Sequence, residues 1–458
     1  MKNELLNLAD KVEELYSKIS KDDAVPDIDV QKINRFLLEH FSFNKPRSVS
    51  EITRNVNTMM SAGSIQTNHP RHFGLFQPSL RKIGVIADAL VAAYNPQVGA
   101  WWFSPVANEI EKHCLAFISK TFGFNPKEIF SSFTSGGSES TTTAVLCALT
   151  KKFPRYVEKG LIGFKGQPKI YVSSEAHDSI MKIAHQLGLG RCAVSRIPTD
   201  SKQRLDIDLL IHQIAQDRSI EDKPFLVIAT AGTTAGGAID PLPELSQFCQ
   251  SENLWLHVDA AWGGGFLFSD KTKKYFKGIE TADSITWDPH KSLPIPLGAG
   301  YFLCRHKDSV KRTFSVSASY VPDEVEGHFD LYKMGLPWSR RFIGLKVFMV
   351  MAELGEEGLA QMIEHQFAMG SYLLTRLRET GWAIENASPL PIVCFSHPES
   401  KYSIEEILSR VMDRKKCWLS QVSLTDERPA LRACITSYKT EKEDIDILMD
   451  ELIISANL

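Results

Sequence analysis

Apolar positions along the 458-residue chain recur with two different periods, and each period predicts a different kind of element. Up to about residue 60 they return every three or four residues, a spacing that predicts amphipathic helices. From residue 108 onward, short apolar runs rich in β-branched residues alternate with helical patterns. These runs lie at 169–174, 225–232, 254–261, 284–287 and 300–304. Near-continuous apolar strands separated by helices predict a mostly parallel α/β sheet that is covered on both faces.

The pattern changes again after residue 335. A long helical stretch at about 341–380 is followed by shorter strand and helix patterns, which predict a smaller α+β domain. The sequence therefore predicts three parts. These are an N-terminal helical arm at 1–68, which we expect to pack in a homodimer, a large domain at 69–335 and a small C-terminal domain at 336–458.

Composition and charge narrow the range of partners. A formal net charge of -3 and a pI near 6.5 provide no basic field, so we expect a small-molecule partner rather than nucleic acid or a membrane. No apolar run approaches the roughly 18 residues of a membrane span, and the N-terminal residues lack the pattern of a signal peptide. The eight cysteines are scattered without a CxxC pair, which predicts reduced thiols and a cytoplasmic protein.

One lysine has an unusual sequence environment. Lys291 follows His290 in the stretch SITWDPHKSLPIPLGAGYFLC, between two apolar runs and among prolines that stiffen the turn. Partial burial disfavours the ammonium form of a lysine, so its amine becomes available to form an imine with an aldehyde such as pyridoxal phosphate. An ordinary exposed loop lysine is the alternative reading of this residue alone.

Other polar residues follow the predicted strands, at the strand ends where ligands bind in α/β sheets. Gly137 and Ser138 open a helix after a Gly-rich loop, an arrangement that stabilises a phosphate, although a plain Ser-capped helix fits as well. His177 enters a helix after another strand and could stack on a cofactor ring or be a capping histidine. Asp259 ends an apolar strand, where its carboxylate needs a cationic partner, either a pyridinium nitrogen or a structural arginine or lysine.

The histidines of the chain do not predict a metal site. His69 and His72 form an HxxH pair, but no third ligand is near in the sequence. Zinc sites need three or four converging ligands, so we expect no metal here.

Taken in order, the motifs TSGGSEST, SSEAHDS, ATAGTTAGGAIDPL, HVDAAWGG, DPHKSL and WSRRF resemble those of the group II pyridoxal-phosphate-dependent amino-acid decarboxylases. This family includes aromatic-L-amino-acid and glutamate decarboxylases. The resemblance implies the aspartate-aminotransferase-like fold type I, with pyridoxal 5'-phosphate in the large domain. It runs from about residue 69 to 341 and continues more weakly to the C-terminus.

The resemblance also implies roles for individual residues. Lys291 would carry the cofactor as a covalent imine, Asp259 would pair with the pyridine nitrogen and His177 would stack on the ring. The remaining cofactor contacts implied are Gly137, Ser138 and His290 at the phosphate, and Thr234 and Ala261 at the ring. Tyr320 matches the tyrosine of the family's mobile catalytic loop, which implies a proton donor, although its neighbours differ from the usual loop. Arg340 matches an arginine near the active site, and its role is either a substrate contact or a structural pairing.

The substrate side chain is less determined by the sequence. Aromatic residues in the loops at 64–79 and 95–105 predict an apolar pocket, in which we expect Phe73, Phe76 and Trp102 to contact an aromatic or bulky apolar L-amino acid.

Several alternatives remain open at this point. An acidic amino acid would need a cation, for which Arg71 or Arg432 could serve. An aminotransferase or a carbon–carbon lyase on the same fold would use the same lysine and aspartate. A non-enzymatic protein derived from the fold is a third class.

Overall fold

The computed structural model describes residues 2–162, 164–316, 325–424 and 428–457. The α-helices of these described parts are α1 (Lys2–Lys18), α2 (Val30–His40), α3 (Val49–Gly63), α4 (Lys82–Tyr94), α5 (Pro105–Thr121), α6 (Gly137–Lys152), α7 (Tyr156–Lys159), α8 (Ser179–Gln186), α9 (Ile207–Ser219), α10 (Leu242–Ser251), α11 (Asp270–Lys273), α12 (Pro289–Ser292), α13 (Lys307–Phe314), α14 (Gly344–Glu379), α15 (Ile404–Asp413) and α16 (Lys442–Ala456). The strands are β1 (Phe130–Thr134), β2 (Pro168–Ser173), β3 (Val194–Ile197), β4 (Lys223–Thr230), β5 (Trp255–Asp259), β6 (Ser284–Trp287), β7 (Gly300–Cys304), β8 (Ala383–Ile384), β9 (Ile392–Ser396), β10 (Ser420–Ser423) and β11 (Pro429–Cys434).

The larger sheet has seven strands in the order β1-β7-β6-β5-β4-β2-β3. Neighbours from β6 to β3 are parallel, whereas β7 is antiparallel to both β6 and β1. The predicted mostly parallel sheet is confirmed. The connection from β6 to β7 contains only one short helix, α12. Because parallel strands need a long crossover and antiparallel strands do not, this connection returns β7 in the opposite direction.

Alternate residues of the central strands enter separate apolar layers. On β4, Val227 and Ala229 belong to one buried cluster, whereas Leu226 and Ile228 belong to another. Successive side chains of a strand point to opposite faces, so the two clusters lie on the two faces of the sheet. Both faces are therefore covered, which is why these strands read as continuous apolar runs.

The C-terminal part of the chain forms a second, antiparallel sheet in the order β10-β11-β9-β8. Helices α15 and α16 contribute to its buried core, as do residues from the second half of α14. The long helix α14 is interrupted at Gly355, whose φ of 65° is readily adopted by glycine. Helix α15 begins with a capping box between Ser403 and Glu406.

The N-terminal helices have little cover. Within the described residues, α2 contains no buried residue and α3 contains only Asn55. Leu38 is 78% exposed and Phe43 is 93% exposed. Among the described residues, no helix is both long enough and apolar enough to cross a bilayer.

Candidate active site

A pocket of about 510 Å³ opens where several strands of the larger sheet end. Its walls come from the loops that follow β1, β2, β4, β5 and β6, together with residues around Phe76 and Leu297. The structure brings all eight residues predicted to contact a cofactor into its lining: Gly137, Ser138, His177, Thr234, Asp259, Ala261, His290 and Lys291. Strand ends meet at one edge of a parallel sheet, so residues distant in sequence converge there.

Strand β5 places Asp259 at the floor of the pocket. Its apolar residues are fully covered by the sheet and helices, and the strand ends at this carboxylate, which is 8% exposed. The Ala261 backbone N–H donates to Asp259 Oδ1 at 3.0 Å, which fixes the orientation of the carboxylate. A carboxylate held in this way at a pocket wall favours a positively charged partner.

Beneath Asp259, His257 is completely buried in the same strand. Its Nδ1 lies 2.8 Å from Ser284 Oγ and its Nε2 lies 3.3 Å from Thr286 Oγ1. Burial, which penalises the charged imidazolium, lowers the pKa of His257 to about 4. A neutral imidazole thus ties β5 to β6 directly below the strand ends that carry the pocket.

Lys291 lies on the short helix α12, directly after β6. Its Nζ is 2.9 Å from Asp288 Oδ2, and the lysine side chain is 27% exposed whereas that of Asp288 is 3% exposed. The Asp288 backbone N–H donates to Ala261 O at 2.8 Å, which joins this turn to the end of β5. The lysine side chain is therefore partly buried, as the sequence predicts, and it also has a buried carboxylate partner.

The Gly-rich loop between β1 and α6 forms another wall. Helix α6 begins at Gly137. The Glu139 and Ser140 N–H groups donate to Gly136 O, at 3.1 and 3.2 Å, whereas those of Gly137 and Ser138 have no carbonyl partner within the helix. Strand β7 lies close to this loop: a Cβ on Gly300 would be 2.7 Å from Gly136 Cα. Ser135 donates from both its N–H and its hydroxyl to Glu139 Oε2, at 2.8 and 2.7 Å.

His290 lies beside this loop and donates from Nδ1 to Ala299 O at 2.6 Å. Burial is the largest cause that lowers the pKa of His290. An anion bound at the loop would favour the imidazolium instead, because a nearby negative charge stabilises the protonated ring.

Comparison with known proteins identifies the family. Residues 33–397 match the family model described as the pyridoxal-dependent decarboxylase conserved domain. This chain belongs to that family.

Relatives within this decarboxylase family differ in their named substrates. The human protein named acidic amino acid decarboxylase GADL1 is 32% identical over 429 residues, which cover 89% of this chain and 81% of that protein. The Bacillus atrophaeus protein named aromatic-L-amino-acid decarboxylase is 31% identical over 407 residues, which cover 86% of this chain and 82% of that protein.

Solved structures share the fold of this decarboxylase. The crystal structure of mouse CSAD has a TM-score of 0.91 at 25% identity and is matched over 98% of both chains. The structure of Oryza sativa TDC with PLP and tryptamine has a TM-score of 0.92 at 20% identity, over 100% of this chain and 97% of that chain. The predicted fold class, cofactor and reaction are thereby confirmed: the chain is a pyridoxal-phosphate-dependent amino-acid decarboxylase.

The groups in the pocket fit pyridoxal phosphate. An amine, a strand-end carboxylate and a helix N-terminus lie together, and these suit the aldehyde, the pyridine nitrogen and the phosphate respectively. A Cβ on Gly137 would lie 3.1 Å from Asp288 Oδ2, so a side chain at this position would crowd the buried carboxylate. When bound, the cofactor supplies an electron sink for the bond that loses CO2.

The residues predicted to contact substrate are dispersed. Phe76 lines the pocket and stacks on Trp262, with ring centroids 4.5 Å apart. The structure places Phe73 elsewhere: its ring is completely buried in the core of the C-terminal sheet and does not line the pocket. Trp102, 36% exposed, lies outside this pocket in the turn before α5. Tyr320 lies outside the described residues.

Arg340 has a position that supports structure around the pocket. It is 7% exposed and donates from Nη2 to Phe133 O at 2.6 Å, near the end of β1. Buried Glu111, whose Oε1 accepts from the Gly344 N–H at 2.9 Å, attracts the same guanidinium. These contacts correspond to the structural pairing that the sequence left as one alternative for Arg340.

Two residues near the pocket were missed as site residues in the sequence. Asp288 precedes Lys291 by three residues on a helical turn, a spacing that could have predicted the ion pair. Trp262 follows the DAA motif. The sequence pattern around it does not show whether its ring lines a pocket or packs in the core.

Proposed function

We propose that Lys291 binds the aldehyde of pyridoxal phosphate, that Asp259 pairs with the pyridine nitrogen, and that His177 covers the ring. Gly137 and Ser138 at the start of α6 and the neighbouring His290 would hold the phosphate, with Thr234 and Ala261 beside the ring. The observation that carries this proposal is the convergence of all these residues in one pocket.

His177 has a hydrogen-bonding arrangement that suits a substrate carboxylate. The Ser179 N–H donates to His177 Nδ1 at 3.1 Å, so the hydrogen of a neutral imidazole lies on Nε2. That N–H is then available to donate to a carboxylate. Holding the carboxylate in one orientation lowers the entropic part of the barrier, which is the main contribution that a decarboxylase pocket makes.

For the substrate class, we propose an acidic L-amino acid, the alternative that Arg432 supports. This arginine is 2% exposed, and its guanidinium lies 4.8 Å from the centroid of the pocket-lining Phe76 ring. It donates from Nη1 to Gly74 O and Ser420 Oγ, but Nε and Nη2 are buried without partners. A buried cation with unpaired donors is costly, so an anion that reaches it behind Phe76 would be strongly favoured.

Arg71, the other cation considered for this role, is already engaged. It pairs with Asp444 at 3.3 Å and donates from Nε to Lys416 O at 2.8 Å. An aromatic L-amino acid remains the second candidate because Phe76 and Trp262 form a stacked pair at the pocket.

The test is CO2 release by the cofactor-loaded protein with L-glutamate, L-aspartate, L-cysteine sulfinate, L-tryptophan and L-tyrosine. We expect release from an acidic substrate, and a KM about 10- to 100-fold higher in Arg432→Leu because a charge-assisted hydrogen bond is lost. Arg71→Leu is the matched control and should leave KM unchanged. Release from aromatic substrates alone, unaffected by Arg432→Leu, would select the second candidate.

We also propose a homodimer in which the N-terminal arm, residues 1–68, packs on a second copy. The apolar side chains left uncovered on α2 and α3 support it, since large exposed apolar surfaces commonly mark interfaces. The division at 69–335 and 336–458 is retained as a proposal that the two separate sheets support.

A cytoplasmic location is proposed as well. All eight cysteines have free thiols, as expected in a reducing compartment. Cell fractionation tests this directly: recovery of the chain in a secreted or oxidising fraction would contradict it.

A further inference from the structure

The carboxylate of Asp288 is the feature of the pocket that the proposed cofactor contacts do not use. It lines the pocket and is 2% exposed. One oxygen, Oδ2, lies 2.9 Å from Lys291 Nζ, and the other, Oδ1, is buried without a hydrogen-bond partner. A buried carboxylate is costly without a cation, and Lys291 is the cation that this one contacts.

Three other lysine–aspartate pairs lie within the described residues. Lys333 with Asp330 is the most similar, because that aspartate side chain is 2% exposed, but the two groups are 3.9 Å apart. Lys415 pairs with Asp27 on the surface, where the aspartate side chain is 84% exposed and water screens the charges. Lys346 is buried, but it lies 3.5 Å from Asp88 and also donates to Leu297 O at 2.9 Å. The pair of Lys291 with Asp288 thus combines a short contact with a nearly water-free carboxylate.

We propose that Asp288 is a positioning residue that receives Lys291 as an ammonium ion each time the substrate's amino group replaces the lysine. This inference rests on the proposed role of Lys291. Asp288 stabilises the released lysine, so it shifts the exchange toward bound substrate. It also holds Nζ within reach of the carbon to which it must return.

The exchange balances in atoms and charge. The substrate arrives as an ammonium ion, its nitrogen forms a bond to the cofactor's aldehyde carbon, and the bond from that carbon to Nζ breaks. With a neutral imine on each side of the exchange, three hydrogens leave the substrate nitrogen as ions, and Nζ gains three and becomes an ammonium. No further proton donor is needed, and the positive charge formed at Nζ lies against Asp288.

The test uses Asp288→Asn, which keeps the shape and removes the charge. Cofactor-free protein is mixed with pyridoxal phosphate and the rate of imine formation is followed by absorbance. Loaded protein is then equilibrated with methylamine, a simple ammonium ion, and reduced with borohydride. Mass spectrometry measures how much of the pyridoxyl group is on the chain and how much is on methylamine.

We expect opposite changes in the two measurements. Loading should be about tenfold faster in Asp288→Asn, because the lysine amine is no longer held in an ion pair. Half-displacement should need about tenfold more methylamine, because the released ammonium is no longer stabilised. Asp413→Asn, an exposed aspartate in α15, is the control for the same change of charge and should alter neither.

Two results would overturn the inference. Unchanged displacement with faster loading would mean that Asp288 merely repels the phosphate, and unchanged values of both would mean that the pair has no role. Asp288→Ser provides a second neutral variant if the asparagine protein does not fold. Absence of a pyridoxyl group on Lys291 in the wild-type protein would instead contradict the proposed function itself.

Discussion

The end of the larger sheet buries polar side chains, whereas the N-terminal helices expose apolar ones. At the sheet end, polar groups such as Asp259 and His257 are buried, and each has a hydrogen-bond partner. On α2 and in the loop after it, apolar side chains such as Leu38 and Phe43 are exposed. Burial of a polar group costs free energy unless another group binds it, and large exposed apolar surfaces commonly mark interfaces. We therefore propose a ligand at the first region and a second copy of the chain at the second.

The largest effect is expected at the sheet end. Replacement of Lys291 by alanine should lower turnover by about 10³-fold or more, because no other lysine lines the pocket described here. The absorbance of the imine should disappear as well. Steady-state CO2 release and an absorbance spectrum measure both. Lys415→Ala, at an exposed ion pair, should keep them, and normal activity of Lys291→Ala would contradict the proposed site.

An intermediate effect on stability is expected from the layer below the pocket. The pKa of His257 is about 4 in the folded chain and near 6.5 when unfolded, so the unfolded chain binds more protons between these pH values. Stability is therefore fully present above pH 6.5 and is lost as the pH falls toward 4, by about 3 kcal/mol from this residue.

The His257→Asn variant isolates this term, since all other titrating groups are shared. It should be less stable than wild type at pH 7, and the difference should shrink at pH 5. Urea unfolding at both pH values measures the change. An unchanged difference between pH 7 and pH 5 would show that His257 does not titrate on unfolding.

The smallest effect is expected at the N-terminal helices, where a substitution should change only the dimerisation equilibrium. The double variant Leu38→Glu, Phe43→Glu should weaken dimerisation by about tenfold or more in Kd, because two apolar contacts are replaced by charges. Sedimentation over a range of concentrations measures the equilibrium. Ile162→Glu, at another side chain that is 86% exposed, is the control. If the wild-type protein and both variants have equal dissociation constants, the N-terminal arm is not part of a dimer interface.

Much of the site could be predicted because its residues follow strands. Strand ends converge in any parallel sheet, so Lys291, Asp259 and His177 could be placed together before the fold was known. Contacts outside that rule could not be predicted. Phe73 was assigned to the pocket because aromatic loops commonly line pockets, but it is buried in the core of the C-terminal sheet, more than 300 residues away along the chain. Aromaticity does not specify which apolar surface a ring covers.

The sequence by itself determined the elements and the chemistry: the covered parallel sheet, the order of the motifs and the lysine that defines the family. Local periodicity and strand ends carry that information because they depend on neighbours in sequence. Tertiary structure alone decided that Phe73 enters the core of the C-terminal sheet and that Arg432 retains unpaired donors behind Phe76. Burial and charge pairing depend on residues brought together from distant parts of the chain, and a linear pattern does not contain those distances.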